Sequence, residues 1–242
     1  MAPPAPEPRG GAAVPKLGIL MLDTRFPRIV GDIGNAATFD HGVLYATVHG
    51  ASPQRVVRER DASLLQPFID AGRSLVRDGA TAVTTSCGFL VLFQRELQAA
   101  LPVPVWTSSL LLLPELQDAL PAGRRVGVVT ADAASLAADH LRCAGASADT
   151  PIEGLAPGCT LQRTLLNDEP QLDVDAARHA TVEAAQRLVA RHPEVAAIVL
   201  ECTNLPPYAD AVRTATGRPV HGITDLIARR LPMSAAMKEP RT

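Results

Sequence analysis

Two cysteines occupy equivalent positions in two weakly repeated halves of this 242-residue chain. Cys87 ends the run 82–86, and Cys202 ends the run 195–201, so each thiol stands where a buried strand would end. A helical pattern follows each cysteine. A thiol at the start of a helix meets free backbone N–H groups and the helix dipole, which lower its pKa. We therefore predict two reactive thiols of similar basicity.

A second pair of segments supports the repeat. Leu-Gly-Ile-Leu at 17–20 opens one half and Val-Gly-Val-Val at 126–129 opens the other, at an offset of 109 positions against 115 for the cysteines. A near-constant offset indicates two similar units facing each other. Two thiols across a cleft can remove a proton from one face of a carbon and return one to the other face. That chemistry is a two-base racemisation, and it needs no metal or organic cofactor.

Strand-like and helical segments alternate along the chain, a pattern typical of parallel sheets covered on both faces. The predicted strands are Leu17–Leu22, Val43–Val48, Ala82–Ser86, Val103–Trp106, Arg125–Thr130, Val195–Leu200 and Val220–Ile223, with a shorter one near Asp149–Glu153. The predicted helices are Leu64–Arg77, Phe89–Ala100, Leu110–Leu120, Ala133–Cys143, Val174–Arg191, Pro206–Ala215 and Asp225–Arg230. We predict an α/β fold with two pseudo-symmetric domains, each a parallel sheet flanked by helices, and an active-site cleft between them.

The domain boundaries follow from the repeat. We assign residues 16–118 together with 218–233 to the first domain and residues 119–217 to the second. The ends of the chain, 1–15 and 234–242, are predicted to be disordered tails. Because ligands of parallel sheets bind at the carboxyl ends of strands, we expect the strand ends of both domains to meet at the cleft.

Composition narrows the class of protein. With 23 basic and 25 acidic residues the net charge is −2, which argues against nucleic acid or an anionic membrane as partner. No apolar stretch approaches the roughly 20 residues that span a bilayer. The four cysteines lack CxxC spacing and indicate free thiols, so we expect a cytoplasmic location. The only lysines, Lys16 and Lys238, lie in or beside the predicted tails, which excludes pyridoxal phosphate chemistry.

Three short motifs resemble the aspartate/glutamate/hydantoin racemase superfamily: Thr-Ser-Cys-Gly-Phe at 85–89, Leu-Glu-Cys-Thr-Asn at 200–204 and Leu-Asp-Thr at 22–24. The resemblance covers about residues 16–232 and implies that each domain gives one catalytic cysteine, Cys87 or Cys202, to the cleft. No metal or other cofactor is implied. The expected substrate-binding residues are Asp23, Thr24, Arg25, Ser86, Gly88, Phe89, Thr130, Thr203 and Asn204.

The polar segment 23–35 follows the first predicted strand and has two interpretations. In one, Arg25 or Arg28 pairs with a second carboxylate of the substrate. In the other, the segment is a turn in which Asp32 and Asn35 bond their own backbone. A similar Gly-Asp-Ile stretch occurs in the algal sulfonium-compound lyases of the same superfamily, so this loop does not separate racemase from lyase.

The leading functional prediction is an isomerase, a racemase or epimerase of an amino acid or related carboxylate that works without pyridoxal phosphate. One alternative is a lyase or decarboxylase of the same superfamily, such as a C–S lyase acting on a sulfonium carboxylate. Another is a carboxylate-binding protein without catalysis. The expected partner is a small-molecule carboxylate, and the expected assembly is a homodimer.

Overall fold

Two four-stranded parallel sheets form the framework of the computed structural model, which describes residues 15–231. The first sheet contains β1 (Leu17–Leu22), β2 (Val43–Val48), β3 (Ala82–Thr85) and β4 (Val105–Trp106), in the order β2-β1-β3-β4. The second contains β5 (Arg125–Thr130), β6 (Ile152–Gly154), β7 (Val195–Leu200) and β8 (Val220–His221), in the order β6-β5-β7-β8. The two sheets repeat one strand order, so the predicted fold class of two pseudo-symmetric α/β units is confirmed.

Eight α-helices flank these sheets in the described part of the chain. They are α1 (Leu65–Arg77), α2 (Gln94–Ala100), α3 (Leu113–Asp118), α4 (Ala138–Cys143), α5 (Thr160–Leu166), α6 (Val174–Arg191), α7 (Ala209–Thr216) and α8 (Ile223–Arg230). Single-turn helices of 3₁₀ type lie at Ala36–Thr38, Ala62–Leu64, Gly88–Phe93, Ser109–Leu112 and Pro206–Tyr208, and a π-helical turn lies at Gln54–Arg58. None of the helices described is long and apolar enough to cross a membrane.

Local side chains explain where the helices differ from the prediction. The helix expected from Ala133 begins only at Ala138, because the Asp132 carboxylate accepts from Ala134 N and Ser135 Oγ and holds a turn there. Helix α5 was not predicted, since seven residues are too few to show a clear period. The predicted tails at 1–15 and 234–242 lie outside the described residues, apart from Pro15.

The segment assigned to the first domain at 218–233 divides between the two units. Strand β8 pairs in parallel with β7, where Ile198 faces Val220, so this strand belongs to the second sheet. Helix α8 instead buries Ile223 and Leu226 in the core that also contains residues of β1 and β3. That core also contains Val126 and Val128 of β5, so the helix packs against residues of both units.

Candidate active site

A small cavity of about 40 Å³ lies where the carboxyl ends of the two sheets meet. Its polar lining consists of Arg28, Ser86, Cys87, Glu201, Cys202 and Asn204. Its apolar wall includes Leu22, Phe26, Val57, Phe89, Leu165 and Leu166. Both cysteines therefore line one mostly apolar space.

Cys87 stands at the end of β3 and caps the 3₁₀ turn Gly88–Phe93 with extended backbone. Burial and the Glu201 carboxylate raise the pKa of its thiol to about 12. The backbone N–H groups of Phe89 and Leu90, together with the Arg28 guanidinium, oppose this rise in part. The surroundings of Cys87 thus include three groups that favour a thiolate.

Cys202 meets a different environment at the end of β7. Its Sγ donates to Asn204 Oδ1 at 3.4 Å, and Asn204 Nδ2 donates to Asp32 Oδ2 at 2.5 Å. Because an ionised Asp32 can only accept, the amide oxygen of Asn204 faces the sulfur and favours the protonated thiol. Burial raises the pKa of Cys202 well above its ordinary value, and the negative charges of Glu201 and Asp32 add to the effect.

The prediction of thiols with lowered pKa is therefore wrong. The turn after Cys87 is only six residues of 3₁₀ helix, and the loss of water around both sulfurs outweighs the backbone donors. Both cysteines are partly buried at the cavity wall. That burial follows from the meeting of the two units, so neither half of the sequence reveals it alone.

Glu201 is a site residue that the sequence reasoning missed. Its side chain is fully buried, and its Oε2 accepts from Thr130 Oγ1 at 2.7 Å. Its Oε1 has no hydrogen-bond partner among the described residues. Burial raises the pKa of this carboxyl to about 7, against the lowering effect of the Thr130 hydrogen bond. The available signal was a charged residue at the end of an otherwise apolar strand.

Contacts between the two units hold the cysteine loops against each other. Thr203 Oγ1 donates to the Ser86 carbonyl at 2.6 Å, and Ser109 Oγ donates to the Leu200 carbonyl at 2.7 Å. Gly88 faces Glu201 so closely that a Cβ would lie 2.5 Å from the Glu201 carbonyl oxygen and would collide with Oε1. Only glycine fits at this position while Glu201 keeps its place.

The structure places the predicted substrate-binding residues in three groups. Ser86, Gly88, Phe89 and Asn204 line the cavity with the two cysteines. Thr130, Thr203 and Thr24 lie behind the wall, where they bond Glu201, the Ser86 carbonyl and Arg28 respectively. Asp23 and Arg25 do not line the cavity.

Asp23 and Arg25 have partners elsewhere on the surface. Asp23 is exposed and its carboxylate accepts from Gly50 N at 2.9 Å. The Arg25 side chain is 75% exposed, and its Nε lies 3.1 Å from Asp168 Oδ2. Asp168 also accepts from the backbone of Phe26, so it anchors the start of the loop and turns Arg25 outward.

Arg28 is the arginine that reaches the cavity. Its side chain is nearly buried, stacks 4.6 Å from the centre of the Phe26 ring and donates through Nη1 to Asp32 Oδ1 at 3.0 Å. Asp32 Oδ1 also accepts from Gly34 N at 2.7 Å, and Asn35 Oδ1 accepts from Ala37 N. The turn interpretation of segment 23–35 is therefore confirmed, and the same turn places one guanidinium on the cavity wall.

No cluster of three or more histidine, cysteine, aspartate or glutamate side chains in residues 15–231 is arranged to hold a metal ion. All four cysteines are free thiols, as their spacing predicted. The ionisable side chains of the residues that line the cavity are those of Cys87, Cys202, Glu201 and Arg28.

Solved structures with this fold include a decarboxylase and a racemase. Unliganded arylmalonate decarboxylase aligns with a TM-score of 0.60 at 19% identity, covering 94% of this chain and 96% of that one. A glutamate racemase from Bacillus anthracis aligns with a TM-score of 0.54 at 12% identity, covering 91% and 84%. At these identities the likeness concerns the fold, which therefore serves both decarboxylation and racemisation.

No family model matches the chain. Individual relatives, however, match most of its length. A dimethylsulfoniopropionate lyase from Durusdinium sp. clade D is 33% identical over 227 residues, or 90% of this chain and 74% of that protein. Dimethylsulfoniopropionate lyase 7 from Emiliania huxleyi is 33% identical over 216 residues, and the match spans 63% of its length. Because these relatives are lyases, the prediction of an isomerase is wrong. The chain belongs to the dimethylsulfoniopropionate lyase family.

Proposed function

We propose that this chain is a lyase that eliminates dimethyl sulfide from dimethylsulfoniopropionate or a closely similar sulfonium carboxylate. The proposal draws on the family and on one observation: Cys87, Cys202 and Arg28 line a single cavity. In the reaction a base takes a proton from the carbon beside the carboxylate, a C=C bond forms and the C–S bond breaks. The products are acrylate and neutral dimethyl sulfide, and the proton stays on the base.

We assign the role of base to Cys87. Two backbone N–H groups and Arg28 favour its thiolate, whereas Cys202 has one backbone N–H group, that of Asn204, and its Sγ donates to the Asn204 amide oxygen, which favours the protonated thiol. A sulfonium cation entering the cavity lowers the pKa of a neighbouring thiol, because opposite charges stabilise each other in a dry site. The substrate thus helps to ionise the group that attacks it.

Arg28 is placed to receive the substrate carboxylate. A guanidinium pairs with a carboxylate through charge-assisted hydrogen bonds, and Arg28 is held at the cavity wall by Thr24 and Asp32. This pairing also withdraws charge from the carboxylate as the neighbouring C–H bond breaks, which stabilises the carbanion-like transition state. Dimethyl sulfide leaves without a proton, so the elimination places no demand on Cys202 as an acid.

A direct assay tests the proposal. The purified chain is incubated with dimethylsulfoniopropionate, dimethyl sulfide is measured by gas chromatography, and acrylate is measured by proton NMR. We expect the two products in equal amounts and no change in the optical rotation of D- or L-aspartate and glutamate in parallel samples. Racemisation of either amino acid without release of dimethyl sulfide would overturn the proposal, and so would binding without turnover.

A further inference from the structure

Glu201 is one of the residues that line the cavity, and one oxygen of its buried carboxyl group has no partner among the described residues. A buried carboxylate needs a counter-charge or further hydrogen bonds, and leaving it unsatisfied is costly. The Thr130 hydroxyl satisfies Oε2, whereas Oε1 has no hydrogen-bond partner among residues 15–231. Gly88, which stands closest to Oε1, offers no side chain at all.

No cation of the described chain neutralises Glu201. Arg28 lines the same cavity, but its ion pair is with Asp32 and its second Nη donates to Thr24. No described arginine, lysine or histidine forms an ion pair with Glu201. The cavity therefore presents one positive side chain and one carboxyl group whose own counter-charge is absent from the described residues.

We infer that Glu201 is the anionic partner of the substrate's cationic group, so that the site selects a zwitterion over a plain carboxylate. The inference rests on the proposed function and names the residue that recognises the sulfonium charge. Arg28 would receive the carboxylate and Glu201 the cation, which orients the substrate along the cavity. Cys87 and Cys202, the remaining titratable groups of the wall, lie in the same space.

The position of Glu201 also links binding to catalysis. Its negative charge raises the pKa of both Cys87 and Cys202. A cation that neutralises this charge removes the repulsion, so each thiol ionises more easily in its presence. A carboxylate of the same shape without a cationic group would not lower the pKa of the thiols in this way. Glu201 thereby favours a base that becomes active when a cationic substrate is bound.

A pair of isosteric probes tests the inference by binding alone. The probes are 3-(trimethylammonio)propionate and 4,4-dimethylpentanoate, which share one shape and differ by a positive charge. By calorimetry we expect the wild type to prefer the cationic probe by about tenfold or more, the scale of one desolvated charge pair. In Glu201→Gln the preference should fall to within about twofold. Glu115→Gln, on the surface beside Arg229, serves as the matched control and should keep it.

A pH series on the wild type covers the case in which Glu201→Gln does not fold. Burial raises the pKa of Glu201 to about 7, so the preference for the cationic probe should grow from pH 5.5 to pH 8.5. Cys87 and Cys202 stay protonated over this range in the absence of a cation, because burial raises the pKa of both thiols. Asp32 also contacts Arg28 and Asn204. The same pH series on Asp32→Asn therefore shows how much of the change in probe preference depends on Asp32.

Two outcomes would overturn the inference: an undiminished preference in folded Glu201→Gln, or a preference that does not change with pH in the wild type. Neither depends on turnover. The binding test and the direct assay can also give different answers. If the preference for the cationic probe depends on Glu201 but no dimethyl sulfide is released, the cation site is supported and the proposed lyase reaction is rejected.

Discussion

The Cys87 loop and the Cys202 loop occupy equivalent strand ends in two sheets of one topology, but different groups meet the two sulfurs. Cys87 faces two backbone N–H groups and the Arg28 guanidinium, which favour a thiolate, together with the Glu201 carboxylate, which opposes it. Cys202 faces one backbone N–H group, the amide oxygen of Asn204 and the carboxylates of Glu201 and Asp32. The pKa of both thiols is raised, but a repeated fold can thus surround two equivalently placed thiols with different sets of groups. The proposed one-way elimination uses one base, and this difference is why we assign that role to Cys87.

The asymmetry comes from a single loop. Segment 23–35 leaves the first sheet and contributes to both cysteine environments, because Arg28 faces the Cys87 side and Asp32 holds Asn204 beside Cys202. Both residues belong to one turn, so we attribute the difference between the two thiol environments to this turn and not to the sheets, whose strand orders match.

The largest expected effect is that of Cys87→Ser. A serine hydroxyl ionises far too weakly to act as the base, so the rate of dimethyl sulfide release should fall by about 10³-fold, within the range for loss of a general base. Binding of 3-(trimethylammonio)propionate, measured by calorimetry, should persist. A variant that keeps more than about a tenth of the activity would remove Cys87 from the base role.

Arg28→Ala should have the next largest effect. Loss of a charge-assisted hydrogen bond to the carboxylate costs about 1.5 to 3 kcal/mol, so kcat/KM should fall by roughly ten- to a hundredfold. Alkylation of Cys87 by iodoacetamide should also slow at a given pH, because Arg28 lowers the pKa of that thiol and does not act on Cys202.

Arg25→Ala is the matched control for Arg28→Ala. The Arg25 side chain is exposed and paired with Asp168, so its removal should leave kcat/KM within about twofold of wild type. Equal losses in the two variants would show that the loop acts as a unit, and would weaken the claim that Arg28 distinguishes the two cysteines.

Among the cavity variants, Cys202→Ser should have the smallest effect on activity. It tests the difference between Cys87 and Cys202 most directly. A serine hydroxyl can still donate to Asn204 Oδ1, and a neutral leaving group needs no acid, so activity should stay within about tenfold of wild type. The measurement is the same release of dimethyl sulfide. Equal and complete loss of activity in Cys87→Ser and Cys202→Ser would contradict the proposed difference between the two thiols. It would indicate that both act as acid–base groups.

The strand bounds, the positions of the two cysteines and the turn at Asp32 depend on short stretches of sequence. These features could therefore be predicted from the sequence alone. Strands β1, β2, β5 and β7 have the predicted bounds. In β1 and β7 the residues are apolar and nearly all buried, as expected for strands covered on both faces of a parallel sheet. The two cysteines follow the buried strands β3 and β7, so their place at strand ends could be predicted. The turn at Asp32 and Asn35 also depends on side chains bonding nearby backbone.

Only the tertiary structure decided which polar groups meet at the cavity. Asp32 and Asn204 are 172 positions apart, and Arg25 finds Asp168 at a distance of 143 positions, so no local pattern distinguishes Arg28 from Arg25. Glu201 is buried because the other unit brings Gly88 against it. The pKa values of the thiols depend on this burial. Long-range packing sets both the dryness of a site and the charges within it, whereas periodicity records only which residues are apolar.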